Sequence, residues 1–363
     1  MSSLELIRTI EAGAPSCPPG PLLEVDGLPP EIIRLHAAEG SVADIALYHA
    51  KNFQYGGAGL LMVDGELFVD PAFNPDYLAS SCKRQVQAGN PIWTRGMFGS
   101  VNTLRIAGPV YAPLHPNMVY GHFLLEMLSK LMIIRSLYNE GMRHPIAVSK
   151  ANPQWVTAFL HLVIPDANLI YFDPDTTVIK ADAFLLITRV DRDAHLHPSL
   201  AERFRMIAGL AGSSSDAGDK IYLSRAKLSK NLSWHWIEDE AKIERLFAER
   251  GFRVIYPEKL SIVEQIKLFK RTNILAGEFS SAMHNALFMP KGSRVFCLNW
   301  INVYQSRIAA LKQQAVCFVP DRDGAFHDWR SHGSQGIAMH FDPTRVGREL
   351  DKFIEEFSVN TAA

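Results

Sequence analysis

The chain has 363 residues, 47% of them hydrophobic and 21% charged, with a formal net charge of -1. This is the balance of an ordinary globular protein. It excludes a bulk field that would draw the chain to nucleic acid or to an anionic membrane. The length exceeds the ~250–300 residues at which a single core usually splits, so two domains are expected.

The four cysteines, Cys17, Cys82, Cys297 and Cys317, show no CxxC and no metal-ligand spacing, and the thirteen histidines form no tract. A reducing compartment fits that usage. The N-terminal MSSLELIRTIEAGAPS lacks a basic segment followed by a long apolar one, so no signal peptide is expected. No apolar run reaches the ~20 residues that span a bilayer. The expectation is a soluble, cytoplasmic protein without a transmembrane segment.

Residues 1 to about 40 are rich in Pro and Gly and read as an irregular lead-in. Asp64-Gly65 between two apolar runs signals a hairpin, so the first hundred residues are expected to be strand-rich and antiparallel. Leu104 to Tyr111 reads as a further strand. From His122 to Leu137 the chain is apolar nearly all round, the pattern of a buried helix. His122 and Glu126 interrupt it at i,i+4 spacing, on one face. Buried polar groups need partners or a function. The pair therefore reads either as a structural His–Glu contact or as a catalytic pair at a cleft. No third ligand stands nearby in sequence for a metal.

From Pro145 the pattern alternates. Strands are expected at 146–148, 169–172 and 184–187, with a helix at 154–163 between the first two and another beginning at Pro198. Gly209 to Asp219 is Gly/Ser-rich and reads as a linker. The alternation resumes with a strand at 221–223, a helix at 238–250 and a strand at 252–256. A Ser261-x-x-Glu264 capping box then opens a helix to Phe269. Ile274 to Phe296 reads as strand, turn, helix and strand, with the turn Gly277 to Ser281 at the carboxyl end of its strand. In an open parallel sheet ligands bind at that end. Cys317 to Val319 is strand-like, and Asp342-Pro343 opens a last helix to about Phe357.

Three turns thus follow three strands: Ser224-Arg225, Pro257-Glu258 and Gly277 to Ser281. If the strands are parallel, one edge holds a guanidinium, a carboxylate and a helix N-terminus. Arg225 offers a planar fork of donors to phosphate. Glu258 offers an acceptor for ribose hydroxyls. Ser280 and Ser281 offer N–H groups to an anion, or simply cap the helix. No GxGxxG follows a strand and no GxxxxGK[ST] is present, which argues against a dinucleotide fingerprint and excludes a P-loop. Asn285 stands inside an apolar helix and needs partners. Asp173-Pro174-Asp175 and Asp191-Arg192-Asp193 read as solvated turns of the first half.

Four blocks in order, YGHFLLEMLSKL, IYLSRAKLSKN, FRVIYPEKLSIVEQIKLF and GEFSSAMHNALFMPKGSRV, resemble glycosyltransferase family 61 over roughly Val110 to Leu298. The resemblance implies an α/β fold of GT-B type, two Rossmann-like domains facing a cleft, here after a strand-rich N-terminal lead-in. With the linker it gives an acceptor-side domain at 1–208, a linker at 209–219 and a nucleotide-sugar-binding domain at 220–363, the last helix packing back on the first domain. It further implies an inverting, metal-independent transfer without cofactor, from a nucleotide-sugar donor to a glycan or lipid-linked acceptor in surface or capsular polysaccharide synthesis. His122 is the expected base and Glu126 its partner. Arg225, Lys230, Glu258, Gly277, Glu278, Ser280, Ser281 and Asn285 are the expected donor-side residues, Asn285 matching the family's Asn. The family often has His-Gly-Ala where this chain has Phe279-Ser280-Ser281. Its Arg and Asn-Glu after Ser-Arg are matched only loosely, by Lys230 and Glu238-Asp239. Two other readings stand beside the first: a GT-B-like pyruvyltransferase that uses phosphoenolpyruvate, and a non-catalytic partner in glycan assembly.

Overall fold

A computed structural model describes residues 2–56, 60–64, 66–68, 70–73, 102–113, 119–174, 176–213, 218–228, 235–327 and 336–357. Lys230, Cys82, Gly65 and Asp175 lie outside the described residues. The chain forms two compact α/β units, Met1–Ala14 with Ser41–Asp193, and Pro15–Gly40 with Ala194–Ala363.

The first unit is built on a nine-stranded mixed sheet that changes character at one long strand, Thr177–Ile187. On one side of it lie Asn102–Tyr111, Ile146–Ser149 and Leu169–Phe172, all parallel. On the other side Ile45–Lys51 and Phe53–Gly56 pair with it antiparallel, and Leu60–Val63 and Glu66–Leu67 continue the meander. The hairpin at Asp64 forms as expected, with Asp64 in the left-handed region at φ 51°. The lead-in is not irregular. Ser3–Glu11 is a strand paired with Ile45–Lys51, and Pro30–Ala37 is a helix with Pro in its first turn. Its alternation was hidden because the strand is largely exposed, with Leu6 at 55%.

The parallel half carries the helices. Tyr120–His122 begins one that runs on to Asn139, with a π-helical stretch at Phe123–Leu128. Every residue of that stretch is buried, Glu126 included. The helix Gln154–Val163 packs beside it: Trp155 meets Tyr120 and Phe123 edge-on, and Phe159 meets Phe123. Burial all round explains why no polar stripe is seen in the sequence.

The second unit is a six-stranded, all-parallel sheet in the order Arg253–Ile255, Asp219–Leu223, Thr272–Glu278, Arg294–Leu298, Ala315–Val319, Leu22–Leu23. Its central strands are continuous apolar runs, as strands covered on both faces require. The chain crosses to the first unit's sheet and back before the second unit resumes at Ala194, so the compact division falls at Asp193/Ala194. Gly209 and Leu210, the start of the expected linker, instead form the end of the helix Leu200–Leu210, and Asp219 begins a strand, both in the second unit. The Ser261/Glu264 capping box is reciprocal, as the sequence requires. The last helix, Pro343–Glu356, is capped by Asp342 and packs on the helix Glu240–Glu249 and the strand Ala315–Val319 of its own unit. Val346, Leu350 and Phe353 are its buried apolar side chains, and Arg250 holds Asp351 at 2.8 Å.

Candidate active site

In the first unit, His122 Nδ1 donates to Glu126 Oε1 at 2.6 Å. The His122 side chain is 25% exposed, whereas Glu126 is buried. The i,i+4 contact survives the π-helical widening of the turn, a distortion frequent at functional sites. One further turn on, Lys130 is buried in the same apolar helix. Burial pushes its ammonium down to about 8, against the opposing pull of Glu126 and Asp191. Asp191 is not a solvated turn residue as the sequence suggested. It is buried, and Arg189 grips it with Nη2 at 2.8 Å and Nε at 3.3 Å. Burial still pushes the Asp191 carboxyl up. Glu126, Lys130 and Asp191, all buried, and the partly exposed Arg189 thus form one group of alternating charge behind His122. Lys130 was findable as a cation set inside a run of apolar residues. Arg189 and Asp191 were not, because only the fold brings the 188–193 segment to that helix.

In the second unit the three turns do lie along one edge. Leu223 aligns with Ile255 on one side and with Gly277 on the other. Glu278 aligns with Leu298, and Leu298 with Val319. The strand runs through Gly277 and Glu278, two residues into the expected turn. Gly277 is needed for close approach: a Cβ there would stand 3.0 Å from Leu223 O and from Met283 Sδ. Glu278 is wholly buried, and its Oε1 accepts from His235 Nδ1 and lies 3.6 Å from Arg225 Nη1. Arg225 Nη1 also donates to His235 Nε2 at 3.2 Å. Burial, and then the Arg225 charge, push His235 down to about 3, so it sits neutral between the two ions. His235 gave no local signal in the sequence.

The remaining donor-side candidates divide. Arg225 N donates to Glu240 Oε1 at 2.9 Å, and Ser224 Oγ to Glu244 Oε1 at 2.6 Å, so the helix Glu240–Glu249 anchors the first turn. Glu258 is exposed in a short 3₁₀ turn. Asn285 is fully buried and finds the partners it needs: its Nδ2 donates to Ala282 O at 3.0 Å and faces Gln265 Oε1 at 3.5 Å. Gln265 in turn donates to Pro257 O at 3.0 Å, so Asn285 braces the second turn against the third. The helix after Ser280 is 3₁₀, Ser281–Phe288, and Ser280 makes no side-chain cap bond to it. Further along the same edge stands a group the sequence did not suggest. Asn299, at φ 73°, accepts from His327 N at 2.8 Å, and His327 Nε2 bonds the buried carboxylate of Asp321. Among the described residues no group of three or more His, Cys, Asp or Glu side chains is arranged to hold a metal ion.

The sequence model of the family described as Glycosyltransferase 61 matches residues 120–296. Those residues belong to glycosyltransferase family 61. The match begins at the turn of helix that carries His122 and ends on the strand beyond Asn285. It encloses His122 and Asn285 and supports a glycosyltransferase, an activity that implies a sugar donor and an acceptor. Comparison with curated proteins finds no match. Among the described residues no helix is long and apolar enough to cross a membrane.

Proposed function

We propose that this family 61 glycosyltransferase inverts the anomeric centre, works without a metal, and moves a sugar from a nucleotide-sugar donor to a glycan or lipid-linked acceptor in surface polysaccharide synthesis, on the cytoplasmic side. In this reading the units act as the two halves of a GT-B enzyme, the first serving the acceptor and the second the donor. His122 carries the proposal. Its Nδ1 is committed to a buried carboxylate at 2.6 Å while part of the ring stays exposed. That is the arrangement in which an acid orients an imidazole and stabilises its charged form.

The acceptor hydroxyl attacks the anomeric carbon as its proton passes to His122 Nε2. The new C–O bond forms as the bond to the diphosphate breaks, and the diphosphate leaves with the electron pair. On the second unit, the strand-end edge supplies what a leaving diphosphate needs. The Arg225 guanidinium is fixed in place by Glu278, and the Ser280–Ser281 backbone opens a helix. Glu278 and Asn285 then serve as buried supports for that edge rather than as ligands.

The test is a thermal-shift screen of UDP-, GDP- and CMP-sugars and phosphoenolpyruvate, since a bound ligand raises stability by mass action. A shift with one nucleotide sugar, followed by turnover unaffected by EDTA, is the expected outcome. A shift with phosphoenolpyruvate alone would favour pyruvyl transfer. Activity abolished by EDTA and restored by manganese would overturn metal independence.

A further inference from the structure

The strand-end edge of the second unit carries a further histidine–carboxylate pair that the proposed transfer step does not use. Asp321 follows the strand Ala315–Val319, and its side chain is only 5% exposed. Oδ1 accepts from Asp323 N and Ala325 N, both at 2.9 Å, and Oδ2 accepts from His327 Nε2 at 2.5 Å. The His327 side chain is 23% exposed. Its backbone is clamped as well: His327 N donates to Asn299 Oδ1 at 2.8 Å, and Asn299 Nδ2 donates to His327 O at 2.9 Å. Asn299 is buried and left-handed, a conformation that asparagine bears better than most residues. A ring held at its backbone and at one nitrogen, with part of its surface in solvent, meets a ligand at little cost in side-chain entropy.

The place of the ring points to the ligand. Phe279 N donates to Leu298 O, and Asn299 N to Val319 O, both at 2.8 Å. The turn Ser280–Ser281 therefore leaves the sheet one strand, roughly 4.8 Å, from Asn299, on which His327 is clamped. One strand away on the other side of that turn, the chain turns at Ser224–Arg225. An anion on the central turn thus has a guanidinium on one flank and an imidazole on the other. Arg322 and Asp323 are exposed on the His327 loop and paired at 3.4 Å, Arg322 N donates to His340 O, and Arg345 reaches Asp321 O at 3.4 Å from the last helix. Two arginines and two aspartates balance, so the proton on His327 decides the sign of the loop. With Nε2–H donated to Asp321, a neutral ring presents Nδ1 as an acceptor and a protonated ring presents a second N–H. We infer that His327 is a further catalytic residue, its protonated ring donating to the diphosphate that leaves the donor. The inference rests on the proposed transfer for the origin of that diphosphate, and on the edge alone for the anion contact. As the C–O bond at the anomeric carbon breaks, its electron pair stays on the departing phosphate oxygen, His327 donates to that diphosphate, and the proton stays on the ring. The contact strengthens as the charge develops, which is the condition for lowering the barrier. His327 lies beyond the residues that the family model matches, which end at 296.

UDP, GDP and inorganic diphosphate are titrated by calorimetry into the full-length protein and into His327→Gln, with melting temperatures as the check on folding. The His327 ring of the wild type, assigned by triple-resonance NMR, is followed over pH with and without the best-bound of the three. That arm does not depend on the folding of the variant. Affinity should fall about tenfold or more in His327→Gln, and the bound anion should move the His327 titration to higher pH. With the nucleotide sugar that turns over, kcat should fall by a larger factor than KM rises. A folded variant with wild-type affinity and kcat would overturn the inference, as would a wild type that binds none of the three. UDP or GDP bound with the His327 titration unmoved would leave the transfer reaction standing and remove His327 from it. Diphosphate bound through His327, with neither UDP nor GDP bound, would keep the anion contact and remove the nucleotide-sugar donor instead.

Discussion

Each unit holds a histidine against a glutamate, and the two pairs differ in everything around them. His122 and Glu126 lie one turn apart on a single helix, with the imidazole partly in solvent. His235 and Glu278 are 43 residues apart, both are buried and bonded to each other, and Arg225 lies against both. The same two residue types therefore do different work. An imidazole that touches solvent and has a committed carboxylate behind it can take a proton. An imidazole that shares its carboxylate with a buried guanidinium is held neutral and acts as a spacer in an ion pair. Environment, not residue identity, assigns the roles.

The largest effect expected from breaking this contrast is at His122. His122→Ala should lower kcat by roughly 10²–10⁴, with donor affinity and melting temperature little changed. The corresponding His235→Ala should act mainly on folding. Steady-state kinetics beside thermal melts on both variants would settle the comparison. A folded His122→Ala enzyme that turns over normally is not missing its base, and activity that merely tracks the folded fraction would make the first pair structural too.

The next effect concerns the ion pair. Arg225→Ala leaves Glu278 charged, buried and without its guanidinium, an arrangement that typically costs about 3–5 kcal/mol. Urea unfolding should show that loss, and Arg225→Ala/Glu278→Gln should recover much of it. The double variant then separates support from ligation. If Arg225 also contacts the diphosphate, calorimetry on the refolded double variant should still show donor affinity reduced by ~1.5–3 kcal/mol. Unchanged affinity would leave Arg225 as a counter-ion alone.

The contrast also explains what could be read from the chain. The His122–Glu126 pair was legible because i,i+4 spacing on a helix is a local rule. So were the Ser261 capping box, the Asp342-Pro343 start and the hairpin at Asp64, each of which the structure reproduces. The parallel edge was legible from alternation, and its strands align as parallel pairing requires. His235 was not, because nothing near residue 235 announces that the tertiary fold will bring its strand, which pairs with Ile337–Met339, up to Glu278. Arg189 and Asp191 were missed for the same reason, and the first strand was missed because its exposed face blurs the alternation. The division at Asp193/Ala194 was hidden too, since residues 15–40 join the second unit from the far end of the chain.

The smallest effect tests the buried histidine itself. His235 is pushed from 6.5 to about 3, first by burial and then by Arg225. Its folded value lies below its unfolded value, so between those two the unfolded chain binds the extra proton. Stability from this group is therefore fully present above about pH 6.5 and is lost as pH falls towards 3, with a slope of up to roughly 1.4 kcal/mol per pH unit. Glu240, whose carboxyl burial pushes up, contributes a slope of the opposite sign, so the raw pH profile mixes the two. The difference between wild type and His235→Gln isolates the histidine, because the amide has no proton to gain but keeps a donor and an acceptor for Glu278 and Arg225. Urea unfolding at pH 5, 6 and 7 should show the wild type losing stability towards pH 5 faster than the variant. Parallel profiles would mean that Glu278 offsets the Arg225 charge well enough for His235 to titrate normally. His235 would then no longer be a neutral spacer, and the assignment of the base to the first unit would lose the contrast that supports it.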